Sequence, residues 1–143
     1  MSLAPRAWTT GRHTLRFEPP DLLWSKFRGS CTRAEAIQMV EIYREVGSVQ
    51  PFYMLADMEE AEGMESEARR YMSDHIQHEW VLGIIYFKSR LLHRAIAMGM
   101  LLAAEMTRMD KSHLRGKIHF VSTEAKAQEL LAQLRAQQGG GHG

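Results

Sequence analysis

Pro51-Phe52-Tyr53-Met54-Leu55-Ala56-Asp57 is the stretch on which the architecture turns. It has the length of a strand and is apolar at odd and even positions alike. A strand with one wet face alternates, so a run without alternation suits a central strand covered on both sides, the environment of a parallel sheet. Working outward, Trp80 and the residues to Phe87 repeat the pattern, with Ile84, Ile85 and Tyr86 supplying β-branched and aromatic side chains. Residues 117–121 predict a last strand. Between these strands the period changes to that of helices. Residues 66–77 carry Ala68, Tyr71, Met72 and Ile76 inward, and residues 91–108 are apolar around most of their circumference. A final helix runs from Ser122-Thr123-Glu124 to about residue 135, with Ala127, Leu130, Leu131 and Leu134 on one face.

Upstream, Thr32 and Glu35 form the Thr-x-x-Glu pattern of a capping box, and Ala36, Ile37, Val40, Ile42 and Tyr43 continue a helix that Gly47 ends. Residues 13–18 alternate, with Leu15 and Phe17 on one side and Thr14 and Arg16 on the other. Pro19-Pro20-Asp21 marks a turn, and residues 22–28 resume as a strand, which together predict an antiparallel hairpin. The expected order is β β α β α β α β α: one α/β domain with an N-terminal hairpin and three βα units on a mostly parallel sheet. Residues 1–11 read as a loose leader, 12–136 as the domain and 137–143 as a flexible tail.

The bulk properties narrow the function classes. The 143 residues allow one core, and 18 basic against 17 acidic side chains leave a net charge of +1. Such a balance supplies no electrostatic reason for nucleic acid or an anionic membrane as partner. No apolar run approaches the roughly 18 residues that span a bilayer. The single cysteine, Cys31, rules out an intramolecular disulfide and fits a reducing cytoplasm.

In an open parallel sheet, ligands and partners meet the loops beyond the carboxyl ends of the strands. The most distinctive of these loops carries Asp57, Glu59, Glu60, Glu62, Glu65 and Glu67 with Ser66 among them. It reads either as a charged recognition surface or as a solvated loop whose carboxylates favour the start of a helix. The facing loop holds Lys88, Ser89 and Arg90, so part of that charge is expected to be matched internally. His75 and His78, flanked by Asp74 and Glu79, lie at a helix end without a His-Glu-x-x-His pattern, and no calcium-loop pattern is present. No metal and no cofactor is therefore expected. Cys31 lies near a helix start, where a thiolate is favoured, but with no committed histidine partner it reads as a small core or cap residue. The sequence has no Gly-x-Ser-x-Gly elbow, phosphate-binding glycine loop or dinucleotide fingerprint. No catalytic constellation emerges, and the chain reads as a binding module rather than an enzyme.

Phe120-Val121-Ser122-Thr123-Glu124-Ala125-Lys126-Ala127-Gln128-Glu129-Leu130-Leu131 closes the chain with a strand, a hydroxyl cap, an acidic residue, then Ala and Leu facing the sheet. With the element order, this resembles the STAS domain family and its SpoIIAA-like members, the anti-sigma-factor antagonists. That family's signature loop reads approximately Asp-Leu-Ser-x-Val-x-x-Ile-Asp-Ser-Ser-Gly-Leu. Asp57-Met58-Glu59-Glu60-Ala61-Glu62-Gly63-Met64-Glu65-Ser66-Glu67-Ala68-Arg69 stands in the same place. Asp57, Ala61, Met64, Glu65 and Ser66 are identities or mild changes, and Ala68-Arg69 replaces Gly-Leu. The family's phosphorylated serine falls on Glu67, and a slip of one residue makes Ser66 the acceptor. The resemblance implies a bacterial signalling or transcription-regulating module that works by partner switching. Its partner would be an anti-sigma factor, a kinase or another STAS protein docking on the 57–67 loop. Two alternatives stay open: a carrier of a small apolar, lipid-like ligand lined by residues 91–106, and a subunit that self-associates as a homodimer through that helix or the edge hairpin.

Overall fold

The computed structural model describes residues 4–89 and 117–140. Its centre is the unbroken apolar run: Phe52–Asp57 (β5) is buried from Phe52 to Ala56 and pairs in parallel on both sides. Counting in chain order, β1 (Arg6–Thr10), β2 (His13–Glu18), β3 (Leu22–Lys26), β5, β7 (Val81–Phe87) and β8 (Ile118–Val121) form a six-stranded sheet in the order β1-β2-β3-β5-β7-β8. β1, β2 and β3 are antiparallel neighbours, and β3, β5, β7 and β8 are parallel. Two shorter strands, β4 (Gly29–Cys31) and β6 (Ala61–Met64), pair in parallel as a separate ribbon.

The helices follow from the same burial logic. α1 (Arg33–Gly47) and α2 (Ser66–His75) cover one face, where Met39, Val40, Tyr43, Val46, Ala68 and Met72 meet Leu15, Phe17, Leu23, Phe52 and Met54. α3 (Glu124–Gly140) covers the other face, where Ala127 and Leu131 meet Leu22, Tyr53, Leu55, Ile85 and Phe87. Because β5 sends Phe52 and Met54 to one layer and Tyr53 and Leu55 to the other, it needs both. The Thr32–Glu35 capping box is formed in full, and the Thr123 hydroxyl accepts the Lys126 amide at 3.1 Å to cap α3.

The expected hairpin, the central strand and the alternation of parallel strands with helices are all present. Four boundaries differ. Residues 6–10, expected within a loose leader, form β1, because Ala7 to Thr10 extend the ladder of β2 and Thr10 is buried against it. The second hairpin strand stops at Lys26, and β4 leaves the main sheet to pair with β6, a strand within the acidic 57–67 stretch expected to be a loop. α2 ends at His75, and a single 3-10 turn (His78–Trp80) leads into β7. α3 continues past residue 135 into the expected tail, where Gln138 accepts the Tyr53 hydroxyl at 2.8 Å. The helix expected at 91–108 lies outside the described residues. Among the described residues, no helix is long and apolar enough to cross a membrane.

Two outcomes test this packing. An alanine in place of a helical glycine ordinarily stabilises by about 1 kcal/mol. At Gly47, however, a Cβ would stand 2.5 Å from the Cβ and Cγ of Trp80, whose ring Arg44 also covers at 5.8 Å. Gly47→Ala is therefore expected to destabilise, by about 1–3 kcal/mol in urea unfolding. His119, half-buried in β8, has its pKa lowered by desolvation. The unfolded chain then binds more protons near pH 6, so this contribution is complete above the unfolded value of about 6.5 and is lost as pH falls through the lower folded value. Melting temperatures should drop from pH 7 toward about pH 5, and His119→Asn should flatten that part of the profile.

Candidate functional site

The parallel strands β3, β5 and β7 end together at Lys26, Asp57 and Phe87, and the loops beyond them form one rim. Basic groups on this rim meet the first half of the acidic stretch. Lys26 Nζ lies 3.1 Å from Glu60 and 4.0 Å from Asp57, Arg28 Nε lies 3.6 Å from Glu60, and Lys88 Nζ lies 3.1 Å from Glu59. The hydrogen bond from Lys26 holds the Glu60 carboxyl below its ordinary range, and the bond to Glu59 holds the Lys88 ammonium above its own. Asp57 also accepts the Glu59 amide at 3.0 Å, closing a tight turn after β5. Asp57, Glu59 and Glu60 are thus matched by basic groups within the chain.

The second half of the stretch faces outward. Glu62, Glu65, Ser66 and Glu67 are exposed. Among the described residues, none of the three glutamates makes an ion pair. Glu65 is positioned through its backbone and one oxygen: its amide donates to the Cys31 carbonyl at 3.0 Å and its carboxylate accepts the Arg33 amide at 3.3 Å. Ser66 opens α2, and its hydroxyl accepts from the Arg69 guanidinium at 3.2 Å. Of the facing loop, Lys88 meets Glu59 as expected, Ser89 is half-buried, and Arg90 lies outside the described residues.

Directly beneath this rim lies a cluster that the sequence reading does not assemble. The His13 side chain is 1% exposed, and its Nδ1 accepts the Arg28 amide at 3.0 Å. Nε2 must then carry the ring proton, and it donates to Glu35 Oε1 at 3.2 Å. The same oxygen accepts the Thr32 amide at 3.0 Å, so one carboxylate closes the α1 capping box and ties β2 to it. Burial alone would raise the Glu35 carboxyl, but the bonds from the Thr32 amide and His13 outweigh it and lower it. Gly11 makes room for this carboxylate: with φ of +62° it turns the β1–β2 connection, and a Cβ there would stand 1.8 Å from Glu35 Oε2. Cys31 completes the group. Its thiol is pushed up to about 12 by burial, then by the charges of Glu35 and Glu65, so it is a protonated core residue and no thiolate.

His13, Cys31 and Glu35 offer donor atoms within 4.8 Å of one another, the spacing of a metal centre. The hydrogen bonds argue otherwise. A metal on Nε2 needs a proton on Nδ1, where a ligating histidine ordinarily donates to an acceptor. Here Nδ1 faces a donor, the Arg28 amide. The cluster satisfies itself through internal hydrogen bonds. His75 and His78 make local contacts: His75 Nδ1 bonds the Tyr71 carbonyl at 2.8 Å while its ring stacks on Tyr71, and His78 lies 3.1 Å from Glu79.

No protein-family model and no curated protein matches this chain. Solved structures do. The unphosphorylated anti-sigma factor antagonist SpoIIAA superimposes with a TM-score of 0.57 at 10% identity, over 84% of this chain and 97% of that one. An uncharacterized protein of the DUF3478 family from Shewanella loihica PV-4, with a SpoIIAA-like fold, gives a TM-score of 0.56 at 14% identity over 92% and 98%. Nearly the whole of both proteins is matched within this chain, and the chain accordingly has the SpoIIAA-like, STAS-type fold.

Proposed function

We propose that this chain is a non-enzymatic protein-interaction module that binds a basic surface of a protein partner through its acidic rim, and that it works in bacterial regulation by partner switching. The observation that carries this reading is the division of the rim's charge. Asp57, Glu59 and Glu60 meet Lys26, Arg28 and Lys88, whereas Glu62, Glu65 and Glu67 stand exposed on a backbone that hydrogen bonds hold in place. A backbone held in advance lowers the ordering cost at the moment of binding, and exposed carboxylates on it favour complementary charge.

The likeness to an anti-sigma factor antagonist supports the choice of a protein as partner, with an anti-sigma factor, a kinase or another STAS protein as the class. Ser66 adds a means of switching. Its hydroxyl is exposed at the start of α2 beside Arg69, where a phosphate would gain from the guanidinium and from the helix dipole. Phosphorylation of Ser66 would then raise the negative charge of a rim that is already acidic, and change the affinity for one partner relative to another.

Affinity capture from a bacterial lysate, compared across variants, tests the assignment. Glu62→Lys with Glu67→Lys should lower recovery of the specific partner by roughly tenfold at low salt, and added salt should narrow the difference. Ser66→Asp should alter the ratio of captured partners. Recovery that is the same for wild type and the double variant would remove the rim from the interface.

A further inference from the structure

The cluster beneath the rim joins the elements that shape it. His13 reaches α1 through Glu35 and reaches the link between β3 and β4 through the Arg28 amide. Immediately beyond that link, the Gly29 amide donates to the Glu60 carbonyl at 2.9 Å, and the Cys31 carbonyl receives the Glu65 amide at 3.0 Å. The rim's backbone is therefore moored to β4, and His13 helps hold β4 in position. The two nitrogens of this buried ring have opposite roles, one accepting and the other donating, and only the neutral ring can fill both.

We propose that His13 is a proton-operated latch on the acidic rim; the latch itself stands apart from the docking reading, and only its regulatory consequence rests on it. A second proton, taken up at Nδ1, would point at the Arg28 amide across 3.0 Å and set donor against donor. The other arm would tighten, because Nε2–H to Glu35 becomes a charge-assisted bond. The ring then stays with α1 and releases Arg28, and the release passes along β4 to Gly29, Cys31 and the mooring of Glu60 and Glu65. The charged and titratable groups around the ring are Glu35 from α1, Cys31 from β4, Arg12 beside it on the turn, Arg28 on the link, and Glu65, whose charge reaches Cys31. Phe27 meets the ring edge-on at 5.8 Å.

The test is nuclear magnetic resonance on the full chain, labelled with nitrogen-15, between about pH 7.5 and about pH 5, the interval in which histidines commonly titrate. The expected result is that the His13 ring nitrogens report a second proton while the Arg28 amide proton moves upfield. With the same midpoint, exchange protection at Gly29 and Glu65 should fall roughly fivefold to tenfold, the equivalent of about one hydrogen bond. His13→Asn, which keeps an acceptor near Nδ1 and cannot titrate, should abolish the step. Glu35→Gln, which keeps the cap but removes the counter-charge, should move it to lower pH. The latch is overturned if Gly29 and Glu65 stay protected while the ring charges, if the ring stays neutral until the whole chain unfolds, or if the step persists in His13→Asn. These readouts need no partner. Partner affinity that is constant across a confirmed step would overturn the link to docking and leave the rim assignment standing.

Discussion

Burial of β5 on both faces is the constraint from which the rest follows. Phe52 and Met54 need a layer on one side, Tyr53 and Leu55 on the other, and the parallel neighbours β3 and β7 oblige the chain to cross over those layers. Parallel strands finish at the same edge of a sheet, so the connections from Lys26, Asp57 and Phe87 are brought together by topology before any side chain contributes. The acidic rim is a consequence of that geometry, and its charges are arranged on a scaffold that exists to fill two apolar layers.

Within the rim, hydrogen bonding separates carboxylates that look equivalent as letters. Glu60 is held by Lys26 and Arg28, Glu59 by Lys88, and Glu65 by an amide at the start of α1, whereas Glu62 and Glu67 face water. Glu35 belongs to another level again. It caps α1, receives His13 and lies against Gly11, so a helix start, a strand start and a turn share one carboxylate.

The legibility of these features in the sequence follows their range. β5 can be read because an unbroken apolar run has one common cause, and α1 because Thr32 and Glu35 act over three residues. β1 is less readable: Arg6, Ala7 and Thr9 stay exposed, and the strand exists because the ladder of β2 is available to it. The β4–β6 ribbon is opaque for a similar reason, since Gly29–Cys31 is too short to show a period and its partner lies far along the chain. His13 illustrates the limit at the site. Its position in an alternating strand is evident, but its partners are an amide at Arg28 and a carboxylate at Glu35, and neither spacing belongs to a local rule. The acidic stretch, in contrast, is legible as a stretch, and only its division into matched and outward charges is hidden, because the matching cations Lys26, Arg28 and Lys88 come from distant parts of the chain.

Gly11 carries a consequence for how such a chain can diverge. Surface turns ordinarily absorb substitution and insertion with little effect, since their side chains project into solvent. This turn has no such freedom, because its one missing side chain is the space in which the Glu35 carboxylate sits. A replacement at Gly11 would displace that carboxylate, loosen the cap of α1 and strand the His13 donor, with no residue of the rim altered. Drift at a solvent-facing position would in this way silence a buried network, and two chains with identical acidic loops would differ in how firmly those loops are held.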